Sequence, residues 1–317
     1  MNKILVTGAA GQLGTELTQK LCEIHGSEAI IASDINQNSS AKFSFCQFMV
    51  LDVMDKNSLR NAIINEKITQ VYHLAAILSA TAEQKPLLAW KLNIDSLLIL
   101  LDLAKELKLD RVFWPSSIAV FGKESPKINT AQDAVQTANT VYGISKMAGE
   151  RWCDYYYSHH NVDVRSLRFP GLIGYKAKPG GGTTDYAVDI FHKALAGQVF
   201  RSFLEKETRL PMMYMPDATK ATIDLMQAPS DNITVRSSYN LTAMSFTPEE
   251  IFLELKKHFP EFKIKYQPDY RQEIASNWPQ TIDDQYARND WNWQQEYDLP
   301  EMTKDIIKNL PYWIDKI

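Results

Sequence analysis

Hydrophobic positions open the chain as an unbroken run, Ile4-Leu5-Val6, with glycine at position 8. An apolar run this short, ending in glycine, predicts a strand over residues 3–8 that is buried on both faces. Leu13, Leu17 and Leu21 then recur at helical spacing, which predicts a helix with one apolar stripe. The alternation continues. Apolar strands are predicted at residues 29–34, 48–53, 71–76 and 164–169, with a further one starting at 111 and leading into 115–122. Helices are predicted near residue 56, over 83–108 with Leu87, Leu88, Leu92, Leu98, Leu101 and Ala104 on one face, and from Tyr142. Such alternation specifies an α/β fold built on a doubly wound parallel sheet. Beyond residue 170 the pattern loosens. Helices at 186–196, 217–226, 248–259 and 300–308, with strands at 201–204, 238–244 and 263–266, predict a smaller α/β lobe. Thr247 and Glu250 stand at capping-box spacing before the third of these helices. The expected division is residues 1–170 as the sheet domain and 171–317 as mainly the second lobe, with segments returning to the first core.

Composition narrows the class. Hydrophobic residues make up 45% and charged residues 23%, the range of an ordinary globular protein. With 317 residues the chain can bury a large core in one or two domains. A net charge of -4 and the lack of long basic runs argue against a general attraction for nucleic acid or membrane surfaces. No 18-residue apolar run predicts a transmembrane helix. The apolar strand begins by residue 4, leaving no room before it for a signal or transit peptide. Cys22, Cys46 and Cys153 are odd in number and far apart, which suits reduced thiols and a cytoplasmic location.

The first strand runs into Gly8-Ala9-Ala10-Gly11-Gln12-Leu13-Gly14. In such a turn Gly8 permits the tight bend, Gly11 lets a pyrophosphate approach the backbone, and Gly14 lets the helix pack on the sheet. Free N–H groups and the positive dipole end of the helix then face the phosphates. This makes the sheet domain a Rossmann-type dinucleotide-binding unit. Asp34, 20 residues after Gly14 at the end of the second strand, can accept from a ribose 2'-hydroxyl and repel a 2'-phosphate, favouring NAD over NADP. It can equally cap a turn. Asp52 ends the third strand and either reaches the adenine edge or caps the following helix. The small residues of Leu74-Ala75-Ala76 would let a cofactor lie close, and Asn93 on the long helix could contact it. His73, inside a strand, is read as structural.

Tyr142 and Lys146 are four residues apart and share a helical face. A phenol titrates near ~10 and is a poor base at neutral pH, but an adjacent ammonium favours the phenolate. The pair can therefore act as a general base. Ser117 lies 25 residues upstream at the carboxyl end of a strand, the edge where open α/β sheets bind ligands. Its hydroxyl can hold a substrate oxygen or simply begin a turn. The six histidines and three cysteines have no ligand-like grouping, so no metal is expected; His159-His160 ends a helix, where it complements the dipole.

Thr7-Gly8-Ala9-Ala10-Gly11-Gln12-Leu13-Gly14, Ser116-Ser117-Ile118-Ala119-Val120-Phe121-Gly122 and Tyr142-x-x-x-Lys146 resemble an extended short-chain dehydrogenase/reductase, the family of nucleotide-sugar epimerases and dehydratases. Three further stretches resemble the epimerase-like L-threonine 3-dehydrogenases within it: Arg168-Phe169-Pro170-Gly171-Leu172-Ile173, Pro179-Gly180-Gly181-Gly182-Thr183-Thr184-Asp185-Tyr186-Ala187-Val188, and Asn277-Trp278-Pro279-x-x-Ile282-Asp283-Asp284. The resemblance implies NAD as cofactor. It would be bound by Gly8, Gly11, Gln12, Leu13 and Gly14, then Asp34, Ile35, Asp52 and Val53, then Leu74, Ala75, Ala76 and Asn93, and finally Tyr142, Lys146, Leu172 and Ile173. It implies oxidation of L-threonine at its C3 hydroxyl, with Tyr142, Lys146 and Ser117 as the catalytic set. Ser79, Ser117, Tyr142, Gly182, Thr183, Thr184, Asp185 and Trp278 would hold the substrate. The threonines could donate to a carboxylate and Asp185 accept from an ammonium, or Thr183 or Thr184 could cap the next helix, with Asp185 near its dipole. Trp291 and Trp293 are read as core. A homodimer through the long helices is implied as well. The alternatives are a UDP-sugar 4-epimerase that keeps its NAD, and a non-catalytic NAD-binding sensor.

Overall fold

The computed structural model describes residues 3–176 and 182–313. Pro179, Gly180 and Gly181 of the glycine-rich segment lie outside the described residues. The first half alternates as its hydrophobic pattern requires: β1 (Lys3–Thr7), α1 (Gln12–His25), β2 (Ile30–Asp34), β3 (Gln47–Val50), α2 (Lys56–Asn65) and β4 (Ile68–His73). Then come α3 (Ser79–Gln84), α4 (Pro86–Trp90), a π-helical turn Lys91–Asp95, α5 (Ser96–Leu107), β5 (Arg111–Ser117), α6 (Val141–His160) and β6 (Val164–Phe169). The second half contains β7 (Gly171–Ile173), α7 (Tyr186–Leu195), β8 (Phe200–Ser202), β9 (Leu210–Tyr214), α8 (Met215–Gln227), β10 (Tyr239–Asn240) and β11 (Met244–Phe246). It closes with α9 (Pro248–Lys256), β12 (Ile264–Tyr266), α10 (Tyr270–Ser276), α11 (Gln285–Trp291) and α12 (Leu299–Asn309).

The main sheet is parallel throughout, in the order β10-β6-β5-β4-β1-β2-β3. Along β1, Ile4 and Val6 pack into one core layer with α1, α8 and α11 residues, and Leu5 into the opposite layer with α2, α5 and α6 residues. That is the period of two of a strand covered on both faces. A third core gathers α7, α9 and α12 with Trp278 and Tyr214. Strand order reverses between β1 and β4, the switch point where such sheets bind ligands beyond their carboxyl ends.

Several expectations change, among them the strand at 71–76, which is β4 and ends at His73. The helix over 83–108 is three helices and a π-turn. Pro86 cannot continue α3, because it lacks an N–H, and it starts α4 instead. The strand at 48–53 ends at Val50, leaving Asp52 and Val53 beyond it. The run 238–244 splits into β10, which joins the main sheet, and β11, which pairs antiparallel with β9. The helix expected to reach residue 259 stops at Lys256, although its Thr247/Glu250 capping box forms. Among the described residues no helix is long and apolar enough to cross a membrane.

Candidate active site

The Gly-rich turn has the geometry its glycines predict. Gly8 has φ +67°, and a Cβ there would lie 2.6 Å from the Ala75 nitrogen; one on Gly14 would lie 2.6 Å from the carbonyl oxygens of Gly8 and Ala9. A Cβ on Gly11 would meet only the Gly8 carbonyl, at 3.4 Å, so the face of the turn is open where a phosphate would sit. Asp34 stands over this turn. Its Oδ2 accepts from Ala10 N–H (3.2 Å) and its Oδ1 from Asn36 N–H (3.1 Å), so turn-capping and a place beside the dinucleotide turn coexist. A cradle a side chain would fill, facing a helix N-terminus with a carboxylate at its rim, fits a dinucleotide.

α6 begins at Thr140, whose side chain accepts from Gly143 N–H. A Cβ on Gly143 would lie 2.2 Å from the Ala119 carbonyl, so only glycine lets α6 sit this close to the turn after β5. That approach brings Tyr142 beside Ser117, whose hydroxyl favours the phenolate. The Ser117 oxygen also accepts from Ala119 N–H (3.2 Å), so it caps a turn and faces the tyrosine together. Lys146 is 2% exposed, donates to the Pro115 carbonyl (2.6 Å), and holds its Nζ 4.4 Å from the centre of the Trp114 ring and 5.5 Å from that of Tyr142.

Burial governs both groups. It pushes the Tyr142 phenol up to about 12, against the Ser117 hydrogen bond, which lowers it. It pulls the Lys146 amine down to about 7, against the charge of Glu150, which raises it. Among the protein's own groups, Ser117 rather than Lys146 favours the phenolate, because the lysine is turned to the Pro115 carbonyl. His73 is buried between the Thr7 and Ser96 hydroxyls (2.8 and 2.9 Å), and burial drops its pKa to about 3, so it is a neutral structural residue.

A cavity of about 430 Å³ joins these parts. Gly8, Gly11, Gln12, Leu13 and Gly14 line one end, with Leu74, Ala76 and Leu172 beside them. Ser117, Tyr142 and Lys146 line it too, as do Ser79, Gly182, Thr183, Thr184, Asp185 and Trp278. Ala75 backs Gly8 without lining the cavity. Asp34, Ile35, Asp52 and Val53 do not line it, with Ile35 exposed and Val53 buried. Ile173 is buried in the core. Asn93 is buried; its amide accepts from Ile77 N–H (2.8 Å) and donates to Ile77 O and to Ser145, so it holds the loop after β4 to α6.

Two capping expectations fail. Asp55, not Asp52, caps α2, while Asp52 accepts from Met54 N–H. The N-cap of α7 is Asp185 without a side-chain cap bond, so neither Thr183 nor Thr184 caps it. The Asp185 carboxylate instead accepts from Gly182 N–H (2.7 Å), folding the turn back on itself.

Sequence reasoning missed Pro115, Ser116, Ile118, Phe169 and Pro170, which also line the cavity. It also missed the buried Glu150, which accepts from Ser116 Oγ (2.7 Å) and twice from Arg168 (2.9 and 2.8 Å). Glu150 follows Lys146 by one helical turn on the same face, and Arg168 sits in a wholly buried strand; both were readable as a charged pair in search of a reason. Among the described residues no group of three or more His, Cys, Asp or Glu side chains is arranged to hold a metal.

A parallel sheet with a dinucleotide cradle at its switch point, and a serine, a tyrosine and a lysine at the same edge, defines a nicotinamide-dependent enzyme of the extended short-chain dehydrogenase/reductase class. Residues 4–241 match the model of the NAD dependent epimerase/dehydratase family, and the chain belongs to that family, with NAD as its cofactor. An uncharacterised epimerase/dehydratase from Staphylococcus haemolyticus is 45% identical over 310 residues, 97% of either chain. An L-threonine dehydrogenase from Cupriavidus necator, in holo form, is 51% identical with a TM-score of 0.95, covering 97% of this chain and 99% of its own. A monomeric L-threonine 3-dehydrogenase from a metagenome, in apo form, is 46% identical with a TM-score of 0.93, covering 98% and 99%.

Proposed function

We propose that this enzyme oxidises the C3 hydroxyl of L-threonine to give 2-amino-3-oxobutanoate, in threonine degradation. The observation that carries the reading is one cavity. Ser117, Tyr142 and Lys146 line it together with the small polar residues Ser79, Thr183, Thr184 and Asp185, in a chain about half identical to L-threonine dehydrogenases. Bound NAD supplies the acceptor for the hydride leaving C3. Its pyrophosphate would lie on Gly8, Gly11, Gln12, Leu13 and Gly14. Asp34 and Ile35 would sit at the adenine ribose, Asp52 and Val53 at the adenine, and Leu74, Ala75, Ala76, Leu172 and Ile173 along its length, with Asn93 shaping the loop against it.

Tyr142 takes the hydroxyl proton as phenolate. Ser117, beside it, orients the same oxygen and favours the charged phenol. Lys146, whose amine is turned to the Pro115 carbonyl, would hold the nicotinamide ribose. Ser79, Thr183 and Thr184 supply donors for the substrate carboxylate, Gly182 lets it approach the backbone, and Asp185 supplies an acceptor for its ammonium, while Trp278 covers the site. Residues 1–170 then form the NAD-binding domain and 171–317 mainly the substrate lobe, to which β10 is an exception. Leu87, Leu88, Trp90, Ile144, Trp152 and Tyr155 leave an exposed apolar face along α4 and α6, which supports a homodimer; sedimentation at micromolar concentration tests it. Three free thiols fit a reducing cytoplasm.

The deciding experiment follows NADH absorbance with L-threonine, other hydroxy amino acids and UDP-galactose. The reading requires a rise with L-threonine. No rise with any hydroxy amino acid, together with epimerisation of the nucleotide sugar, would overturn it.

A further inference from the structure

Trp278 lines the cavity with 7% of its surface exposed, yet it belongs to a loop between α10 and α11. On one side its N–H donates to the Ala275 carbonyl at the end of α10 (3.1 Å). On the other side the loop is zipped to residues 122–130, the segment leaving the Ser117 turn. Gln280 and Thr281 N–H both donate to the Lys127 carbonyl (2.7 and 3.2 Å), Thr130 N–H to the Thr281 carbonyl (3.0 Å), and Asp283 N–H to the Thr130 carbonyl (3.0 Å).

The Lys127 side chain closes this zip. Its ammonium donates to the Gly122 carbonyl (2.9 Å) and to the carbonyl of Asn277, the residue before Trp278. Its pKa is lowered by burial, with Glu124 the acid that offsets this. Among the described residues Lys127 forms no ion pair. A partly desolvated ammonium shared by two main-chain carbonyls makes charge-assisted bonds whose effect is to fix backbone. The two segments it joins each carry a residue of the cavity lining: Ser117 lies five residues before Gly122, and Trp278 follows Asn277.

We propose that Lys127 is a positioning residue that fixes Trp278 as the outer wall of the substrate cavity by tying its loop to the turn carrying Ser117. It thereby sets both the affinity for the small hydroxy substrate and the upper limit on its side-chain size. The proposal rests on the assignment of this cavity to a hydroxy amino acid. Without the ammonium the 277–279 backbone loses its side-chain tether, the indole relaxes outward, and the wall facing the hydroxyl recedes. The Gly-rich end of the cavity shares no residue with this clamp, so NAD binding stays as it was.

The test compares the parent with Lys127→Met, Lys127→Arg, Trp278→Phe and the Lys127→Met/Trp278→Phe double variant. Lys127→Met should raise KM for L-threonine about tenfold, the effect of losing the bond to the Asn277 carbonyl that tethers the Trp278 loop, with kcat changed much less and NAD Kd within about twofold. A bulkier β-hydroxy amino acid should gain relative to threonine. Lys127→Arg, which can still reach two carbonyls, should recover most of the affinity. In the Trp278→Phe background the Lys127 substitution should add little, because both act through one wall. Additive losses, or a parallel loss of NAD affinity, would mean that Lys127 only supports the fold and would overturn the proposal.

A readout independent of turnover separates this from the choice of substrate. With 5-fluorotryptophan incorporated, the Trp278 resonance is identified by its loss in Trp278→Phe. Lys127→Met should shift and broaden that resonance, and Lys127→Arg should restore it. An unmoved resonance sinks the proposal even if L-threonine is turned over; a moved one sustains it even if the parent proves inactive on threonine.

Discussion

Replacing Lys146 by methionine is expected to stabilise the protein while abolishing its activity. The amine is 2% exposed, and burial pulls its pKa from 10.5 down to about 7. At about pH 7.5 the unfolded chain carries the full charge, while the native amine is largely neutral. Because the native pKa lies below the unfolded one, the unfolded state binds the extra proton, and native stability rises with pH between about 7 and 10.5. At about 1.4 kcal/mol per unit, the lysine withholds on the order of 3–4 kcal/mol near neutrality. Against this, methionine leaves the Pro115 carbonyl without its donor and gives up the contact over Trp114. That costs about 1–3 kcal/mol.

The net gain is about 1–2 kcal/mol near pH 7, a rise of a few degrees in Tm. It should shrink with pH and change sign as pH approaches 10.5, where the charge penalty is gone and the lost hydrogen bond remains. Thermal unfolding of parent and variant side by side from neutral to alkaline pH reads the difference, and groups common to both chains cancel. A variant less stable than its parent near pH 7, or a difference that does not move with pH, would refute the reasoning.

The other predictions concern the same edge of the sheet. Tyr142→Phe should lower kcat by about 10²–10⁴-fold while quenching of protein fluorescence by NAD persists; near-normal turnover would remove Tyr142 as the base. Since burial pushes the Tyr142 phenol up to about 12, kcat/KM should climb with pH from neutral into the alkaline range. Ser117→Ala, which removes the bond favouring the phenolate, should move that limb to higher pH, and an unmoved profile would separate Ser117 from the proton transfer. Asp34→Ala should cost about ten- to hundredfold in kcat/KM for NAD and much less for NADP, measured with the two cofactors in parallel; equal losses would place Asp34 in the turn alone.

Much of this was written locally. Ile4 to Val6, the three glycines ending at Gly14 and the Leu13-Leu17-Leu21 stripe each act within one strand, one turn or one helix. Their spacing therefore determined the strand, the cradle and the helix before any tertiary contact. Tyr142 and Lys146 share a helical face for the same reason, and His73 in an apolar strand could only be buried. The long helix over 83–108 misread because an apolar stripe says nothing about a break: Pro86 and the π-turn at Lys91–Asp95 re-aim it.

Tertiary structure alone decided which distant pieces meet. It brought Ser117 to Tyr142 through the close approach at Gly143, sent β10 back beside β6, and set Glu150 against Arg168 and Ser116. It also decided the electrostatics. A Tyr-x-x-x-Lys spacing fixes separation along a helix, but the pKa of each group depends on how much water the rest of the chain excludes, and on which carbonyl the amine finds. Sequence carried the chemistry of this site; burial, which is a property of the whole fold, set its protonation.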